Sequence, residues 1–169
     1  EDDVRLKVMK AKEAFSVWKQ LGIDERLRLL KGLKDEIVRR REEIAVLVTE
    51  ETGMPLKESY EDIDFALMYL NDFFDNSKEY LQDEIISADG SVLHKVIYEP
   101  VGISAVIVPW NFPLTNFIWG VIPNLIAGNT VIFKHSEETQ LCGVLFYEMM
   151  KTLKLPDGVF SEVYGNGDV

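Results

Sequence analysis

The chain has 169 residues, 47% of them hydrophobic and 28% charged, which is enough to bury a core in one or two domains. A formal net charge of −11 and a pI near 4.6 argue against nucleic-acid binding, which needs a basic surface. A single cysteine excludes an internal disulfide framework. No signal or transit sequence is visible, so we expect a cytoplasmic protein, although a chain that opens at Glu1 could have lost a leader.

Helical periodicity dominates residues 1–82. Apolar residues at helical spacing predict a first helix that ends by Gly22. A second, long helix is predicted from an N-cap at Asp24 to a stop at Gly53. A third is centred on residues 63–74. Acidic residues are scattered over the outer helix faces, so we expect a solvated surface and no metal site.

The pattern then changes to strand–turn–strand. Residues 83–88 and 91–98 flank Asp89-Gly90, a favoured pair for the centre of a two-residue turn. We therefore interpret residues 83–99 as a β-hairpin.

A run without any charged side chain extends from Val101 to Phe133. A membrane-spanning helix would need about 20 unbroken apolar residues. Prolines, glycines and asparagines interrupt every such window, so we reject that alternative. The run instead predicts a buried strand at 103–108, a helix at 114–127 and a second strand at 130–133.

A helix at 141–153 and a third strand at 159–164 follow. The predicted fold class is thus α/β: a helical N-terminal region, a β-hairpin arm, and a parallel βαβαβ, Rossmann-like segment over residues 100–169. Ligands of open parallel sheets sit at the carboxyl ends of the strands. Those ends are residues 108–111 and 134–137.

Five spaced motifs follow one another along the chain: Pro109-Trp110-Asn111-Phe112-Pro113, Gly128-Asn129-Thr130-Val131, Lys134-His135-Ser136-Glu137, Leu155-Pro156-Asp157-Gly158-Val159 and Gly165-Asn166-Gly167. In order and spacing, they resemble the NAD(P)-dependent aldehyde dehydrogenase superfamily. The resemblance implies oxidation of a small-molecule aldehyde to a carboxylic acid through a cysteine thiohemiacetal and thioester. It also implies that the hairpin is an oligomerisation arm of a homodimer or homotetramer.

The same resemblance places the family's nucleophilic cysteine and general-base glutamate beyond residue 169. We therefore expect these residues to be an N-terminal part of a longer enzyme and to be inactive alone. Cys142 lies among apolar helix residues and should be a buried small hydrophobe, not a replacement nucleophile. The alternative function is a truncated, non-catalytic relative that acts as an oligomerisation or interaction module.

Asn111 is the predicted catalytic residue. The resemblance implies that its amide donates a hydrogen bond to the oxyanion formed when the thiolate attacks the aldehyde, and that it also borders the cofactor. The alternative is a turn asparagine that satisfies local backbone, which is common beside proline.

Seven further residues are predicted from the resemblance to border the dinucleotide: Val108, Pro109, Trp110, Lys134, Ser136, Glu137 and Gly165. A carboxylate at position 137 would accept from the ribose 2′-hydroxyl and repel a 2′-phosphate. This favours NAD as the cofactor. NADP stays open, because Lys134 could pair with that phosphate; a plain surface Lys–Glu pair is the other interpretation.

Phe112, Asn116 and Trp119 fall where the family lines its aldehyde tunnel. Their spacing of four and three residues places them on one helix face. The alternative is that they belong to the core.

Two positions depart from the family pattern. His135 stands where the family generally has proline or a small residue, and we expect an exposed turn histidine. Gly120 stands where a lysine or another polar residue is common near the deacylating water, which puts that proton route in doubt.

Overall fold

The structure is a computed structural model and describes residues 2–167. The predicted segments 1–82 and 100–169 also include residues 1, 168 and 169, which lie outside the described part. The α-helices are α1 (Asp2–Trp18), α2 (Ile23–Leu30), α3 (Gly32–Arg39), α4 (Arg41–Thr52), α5 (Leu56–Tyr80), α6 (Pro113–Ile126) and α7 (Gln140–Thr152). The strands are β1 (Glu84–Ala88), β2 (Leu93–Val96), β3 (Ile103–Ile107), β4 (Thr130–Lys134) and β5 (Phe160–Val163), and a 3-10 turn spans Glu137–Thr139.

The second half of the chain forms a parallel three-stranded sheet in the order β3-β4-β5. Ile103 pairs with Thr130 and Val131 with Phe160. Helix α6 connects β3 to β4, and α7 connects β4 to β5. The predicted α/β class and the parallel βαβαβ order are confirmed, and the predicted bounds of these three strands and two helices are correct to within one residue.

Helix α6 lies between the sheet and the N-terminal helices. On the sheet side, the Phe117 ring packs edge-to-face on Phe133 at 5.2 Å. On the other side, α6 contacts α5 and α2. Its position between two apolar surfaces explains why its sequence carries no charge. Among the described residues, no helix is both long enough and apolar enough to cross a membrane.

Gly120 allows α6 to approach β3 closely. A Cβ at this position would stand 2.4 Å from Cγ1 of Val106. An added side chain would require either Val106 or the helix to move. The departure of Gly120 from the family pattern therefore has a packing cause.

Helix α1 fixes the amino ends of the sheet and the end of α6. The Thr130 hydroxyl donates to the Ala11 carbonyl at 3.1 Å, and the buried Trp18 indole donates to the Leu125 carbonyl at 3.0 Å. The buried Arg26 guanidinium donates to the Ile126 carbonyl at 2.8 Å. The Trp18 and Arg26 donors thus bind carbonyls of the last turn of α6, where the Leu125 carbonyl also accepts from the Gly128 backbone N–H at 3.1 Å.

The predicted single helix from Asp24 to Gly53 is wrong: three helices occupy this stretch. The first break is at Lys31, where Gly32 leaves room for Leu153 to lie 3.1 Å from the position a Cβ would take. The second is at Arg40, whose φ of −98° and ψ of 15° leave the helical region. Hydrophobic periodicity continues through both breaks and so carries no sign of them.

The predicted N-cap at Asp24 is also wrong, because the N-cap of α2 is Gly22, two residues earlier. Asp24 lies in the first helical turn, where its carboxylate pairs with Lys78. The end of the stretch is as predicted, since Gly53 closes α4 in the left-handed conformation with φ of 73°.

The hairpin is present, but its turn is shifted by one residue. The Asp89 backbone N–H donates to the Val92 carbonyl at 3.2 Å, which makes Gly90 and Ser91 the central residues. Asp89 instead accepts from the Ser91 and Val92 backbone N–H groups. Every residue of β1 and β2 is exposed.

A substitution at Gly158 tests the contact between α1 and the loop before β5. Its φ is +85°, and an added Cβ would lie 2.5 Å from the Lys10 carbonyl oxygen. We predict that Gly158→Ala lowers the free energy of unfolding by about 1–3 kcal/mol, because both the backbone strain and the clash oppose it. Gly22→Ala is the control, since no atom lies within 4 Å of that site. Denaturant unfolding that gives equal losses for both variants would contradict this account.

Candidate cofactor and active site

Two turns meet at the carboxyl ends of neighbouring strands. Residues 108–112 follow β3, and residues 135–139 follow β4. Because the Val108 backbone N–H donates to the Lys134 carbonyl at 3.2 Å, the strands stay paired until the turns begin. A groove of about 370 Å³ lies here, and it is lined by Ile107, Val108, Pro109, Lys134, Ser136, Glu137 and Gly167.

The groove brings together most of the predicted cofactor residues but not all of them. Trp110 and Asn111 are exposed beside it and do not line it. Gly165 has a φ of +146°, so it turns the chain after β5 without lining the groove. Gly167, two residues later, lines it instead. The sequence motif that contains both glycines was the signal for this contact.

The polar end of the groove consists of Lys134, Ser136 and Glu137. Lys134 Nζ lies 3.7 Å from a Glu137 carboxylate oxygen and donates to the His135 carbonyl at 3.3 Å. The Lys134 side chain is only 11% exposed, whereas that of Glu137 is 46% exposed. Ser136 is occupied as an N-cap, since its Oγ accepts from the Glu138 backbone N–H at 3.2 Å. The ammonium group is thus held in place, and the carboxylate faces solvent.

Asn111 presents its carboxamide at the surface of the first turn. Its Oδ1 accepts from Asn116 Nδ2 at 3.4 Å, and the same Nδ2 lies 3.5 Å from the Pro109 carbonyl. Within residues 2–167, Asn111 Nδ2 donates to no protein acceptor. The side chain therefore does not satisfy local backbone, and its N–H groups remain available to a ligand.

Phe112, Asn116 and Trp119 share the exposed face of α6. Phe112 is 44% and Trp119 49% exposed, while Asn116 is half-buried. The Trp119 ring packs edge-to-face on Tyr69 at 4.9 Å. The two aromatic rings are thus partly exposed in this chain and do not belong to its buried core. They form one surface with the Asn111 carboxamide.

This arrangement suits part of a dinucleotide. The groove offers an apolar wall from Val108 and Pro109 and a lysine–glutamate pair that can bind hydroxyl groups. The space beside Gly167 is open, since nothing lies within 4 Å of its Cβ position. Among the described residues, no cluster of histidine, cysteine or acidic side chains could hold a metal ion.

Comparison with known proteins gives a consistent result. The profile of the aldehyde dehydrogenase family matches residues 1–169. The mitochondrial aldehyde dehydrogenase of Sus scrofa is 36% identical over 171 residues, covering 99% of this chain and 33% of that protein. A Synechocystis sp. protein named probable succinate-semialdehyde dehydrogenase (NADP(+)) is 29% identical over 167 residues, covering 99% of this chain and 37% of that protein.

A solved structure is equally similar. The crystal structure of PnpE in complex with nicotinamide adenine dinucleotide has a TM-score of 0.91 and 38% sequence identity, covering 99% of this chain and 34% of that chain. PnpE is from Pseudomonas sp. WBC-3. The chain spans about a third of the length of the curated relatives named above.

Cys142 is a buried thiol, as predicted, with 1% of its surface exposed. Burial raises the pKa of the thiol strongly, and a hydrogen bond to Glu51 and the Glu51 and Asp62 charges raise it further. Because the thiolate is the reactive form of cysteine, this residue is inert.

His135 is not the exposed turn residue that the sequence suggested, because it is only 3% exposed. Its ring lies 5.1 Å from the Phe133 ring and 5.6 Å from that of Phe146. Nδ1 is 2.9 Å from the Thr139 hydroxyl, whereas Nε2 is buried and has no partner among the described residues. Helix α7 and β5 cover the ring, and neither contact is visible in the local sequence.

Glu162 is a second buried group that the sequence analysis did not identify. One carboxylate oxygen accepts from the Tyr164 hydroxyl at 2.6 Å, and the other has no partner in the described structure. A Cβ at Gly143 would lie 2.5 Å from that second oxygen and 3.0 Å from His135 Cδ2. Strand alternation, which places Glu162 on the same face as Phe160, was the one available signal.

The two buried groups have pKa values shifted in opposite directions. Burial lowers the pKa of His135 from 6.5 to about 4, and the Lys134 charge lowers it further. Burial raises the pKa of Glu162 from 4.5 to about 7, while the Tyr164 hydrogen bond and the Lys7 charge oppose that rise. Both groups thus favour their neutral forms in the folded state.

The stability contributions therefore oppose each other with pH. Between pH 4 and 6.5, His135 is protonated in the unfolded chain but neutral in the folded chain. Its contribution to the free energy of unfolding therefore rises with pH over this range. Between pH 4.5 and 7, Glu162 is protonated in the folded chain but ionised in the unfolded chain. Its contribution to the free energy of unfolding therefore falls with rising pH over this range. Each amounts to roughly 3 kcal/mol, and where the windows overlap they cancel.

We predict that single substitutions reveal the two slopes. Relative to the unsubstituted protein, His135→Gln should lose stability with rising pH, and Glu162→Gln should gain it, each by roughly 3 kcal/mol. Denaturant unfolding at a series of pH values measures both. Gln82→Ala, an exposed substitution that changes no titratable group, is the control. Slopes of the same sign in the two variants would refute the opposed titration.

Proposed function

The chain belongs to the aldehyde dehydrogenase family, and from that premise we propose that it supplies the nicotinamide dinucleotide site and the oxyanion-binding amide of an enzyme that oxidises an aldehyde to a carboxylic acid. One observation carries the proposal: the Asn111 carboxamide stands exposed beside the groove, with its oxygen turned to Asn116 and its N–H groups unpaired in the described structure. A donor in that state can stabilise a carbonyl oxygen as it becomes negatively charged.

Each groove residue has a role in this proposal. Lys134 and Glu137 would bind the adenosine ribose hydroxyls, while Val108 and Pro109 form the apolar wall and Ser136 holds the second turn in shape. Trp110 and Gly165 lie beside the groove and would complete its border when a ligand is bound. The dinucleotide, when bound, supplies the hydride acceptor. The chain's own residues bind, orient and stabilise charge.

The nucleophile must come from elsewhere in the enzyme. Cys142 is buried and has a raised pKa, so it cannot attack an aldehyde. The relatives are about three times as long as this chain. We infer that the nucleophilic cysteine and the general-base glutamate lie outside residues 1–169, and that the chain alone does not turn over an aldehyde.

The aldehyde-facing surface of this chain is largely aromatic. Phe112 and Trp119 flank the half-buried Asn116 amide, and none of the three carries a charge. This surface favours an apolar or mixed aldehyde over a small dianion.

The hairpin is the proposed oligomerisation arm. Ile85 and Ile86 are 69% and 65% exposed, and Leu93 and Ile97 are each 55% exposed. Exposed apolar residues on a two-stranded ribbon with unpaired edges favour pairing with another chain. We propose a homodimer or homotetramer built through this arm. The same surface is the observation that favours the second candidate, a non-catalytic interaction module.

The direct test uses the full-length protein that carries this chain. We expect reduction of NAD when an aldehyde is added, and formation of the corresponding acid. An assay panel of aldehydes, each with NAD and with NADP, distinguishes the enzyme from the interaction module. Absence of nucleotide reduction with every aldehyde, from a folded protein, would favour the module.

Substitution of Asn111 tests the oxyanion role. We predict that Asn111→Ala lowers kcat about 10²- to 10³-fold with little change in the KM for NAD, because the donor acts only as charge develops. Asn111→Asp keeps the shape of the side chain but replaces the donating amide with a carboxylate, which only accepts. Its kcat should fall at least as much. Asn76→Ala, at a half-buried position on α5 outside the candidate site, is the control. A kcat within about threefold of the unsubstituted enzyme for both Asn111 variants would exclude the role.

Substitution of Glu137 tests cofactor choice. Glu137→Gln removes the charge that repels a 2′-phosphate and leaves Lys134 without its carboxylate partner at 3.7 Å. We predict that the preference for NAD over NADP falls about tenfold, which corresponds to roughly 1.4 kcal/mol. Calorimetric titration with both nucleotides gives the ratio. The neighbouring Glu138→Gln, outside the groove, is the matched control, and an equal change in both variants would contradict the assignment.

A further inference from the structure

Helices α6 and α7 both begin at the end of a turn of the candidate site, and neither is capped by its own N-cap side chain. The N-cap of α6 is Phe112, which has no side-chain oxygen, and that of α7 is Thr139, whose hydroxyl is bonded to His135 instead. The first backbone N–H groups of a helix have no intrahelical acceptors. Other parts of the molecule must therefore satisfy them.

For α6, the acceptor is Asp62 of α5. Its two carboxylate oxygens accept from the Leu114 and Thr115 backbone N–H groups at 3.1 and 3.2 Å. The Thr115 hydroxyl also donates to the Asp62 backbone carbonyl at 3.1 Å. Asp62 is 1% exposed, and burial raises its pKa while these donors oppose the rise. No cation pairs with it in the described structure, so the helix N–H groups are its main compensation.

For α7, the acceptor is Glu51 of α4. Its carboxylate accepts from the Leu141 and Cys142 backbone N–H groups at 2.9 and 2.7 Å. As with Asp62, each carboxylate oxygen receives one N–H group. Both helices are thus fixed to the N-terminal helical layer by one bidentate carboxylate each.

The two carboxylates replace the caps that the helices' own N-cap residues would otherwise supply. A residue that caps its own helix must direct a side-chain oxygen back to the backbone. With the caps supplied from α4 and α5, neither Phe112 nor Thr139 has to do so. The carboxylates also determine where each turn ends, because the turn is joined directly to the helix start that they hold.

We propose that Asp62 and Glu51 are positioning residues for opposite ends of the site: Asp62 holds the turn that carries Asn111, and Glu51 holds the turn of Lys134 and Glu137. This inference rests on the proposed function for its catalytic consequence. Asp62 should act on the chemical step, and Glu51 on cofactor binding.

The expected result is a split between kcat and KM in the full-length enzyme. Asp62→Asn turns an NH₂ group toward a backbone N–H, and the resulting displacement should lower kcat about 10- to 100-fold with the KM for NAD within about threefold. Glu51→Gln should raise the KM for NAD about tenfold with kcat within about threefold. The exposed neighbours Glu61→Gln and Glu50→Gln are the matched controls and should change neither parameter.

Amide hydrogen exchange without nucleotide gives a second readout that does not depend on activity. Peptides that cover residues 113–116 should exchange faster in Asp62→Asn alone, and those that cover 140–143 faster in Glu51→Gln alone. The Glu61 and Glu50 controls should match the unsubstituted protein in both regions. If Asp62→Asn does not fold, Thr115→Val, which removes only the hydroxyl bond to Asp62, should show the same changes in smaller measure.

The outcomes separate this inference from the proposed function. If the unsubstituted enzyme oxidises an aldehyde but both variants change kcat and KM alike, or exchange at the two helix starts is unaltered, the positioning roles are wrong. If the unsubstituted protein oxidises no aldehyde, the proposed function fails. Exchange at the two helix starts, with calorimetric NAD binding weakened only by Glu51→Gln, then decides the positioning roles alone.

Discussion

The fold depends on burying an uncharged helix on two opposite sides. Helix α6 has no charged side chain, and most of its residues are fully buried. A helix of this kind is stable in water only between two apolar layers. The sheet provides one through Phe133 and Val106, and the N-terminal helices provide the other. The position of α6 in turn fixes the turn before it, and the candidate oxyanion donor lies in that turn.

Close approach makes this packing specific. The missing side chain at Gly120 lets α6 lie directly on Val106, and Gly143 does the same for α7 over Glu162. Aromatic rings fill the space between, with Phe117 5.2 Å from both Phe133 and Phe146. Interiors packed at this density transmit small displacements. The two turns at the carboxyl ends of β3 and β4 are therefore held by the same core.

The sequence predicted the elements whose ends are marked by local chemistry. Pro113 begins α6, and Gly128 ends it with a φ of +98°, so this helix was located to within one residue. The breaks at Lys31 and Arg40 were missed. Lys31 keeps helical dihedrals, with φ of −55° and ψ of −32°, and the backbone change at Arg40 is one that no single residue type signals.

Among the site residues too, those in a local motif were predicted and those that depend on distant contacts were missed. Lys134 and Glu137, three apart in one motif, were predicted together and line one groove. The predicted exposure of His135 was wrong, because its burial depends on elements that are distant from the turn in sequence. Asp62 and Glu51 were missed for the same reason, since their hydrogen bonds cross 52 and 91 residues of chain. Patterns in one sequence indicate contacts between residues that are near each other in the chain. The contacts of Asp62 and Glu51 join residues that are far apart in it.

The cap on α6 also determines how negative charge can be stabilised at the first turn. A free helix N-terminus attracts anions through its unpaired N–H groups and partial positive charge. Here the Asp62 carboxylate already occupies the Leu114 and Thr115 N–H groups and offsets that charge. The start of α6 therefore offers few free N–H groups to an anion. The Asn111 amide, oriented by Asn116, is the donor that this turn exposes.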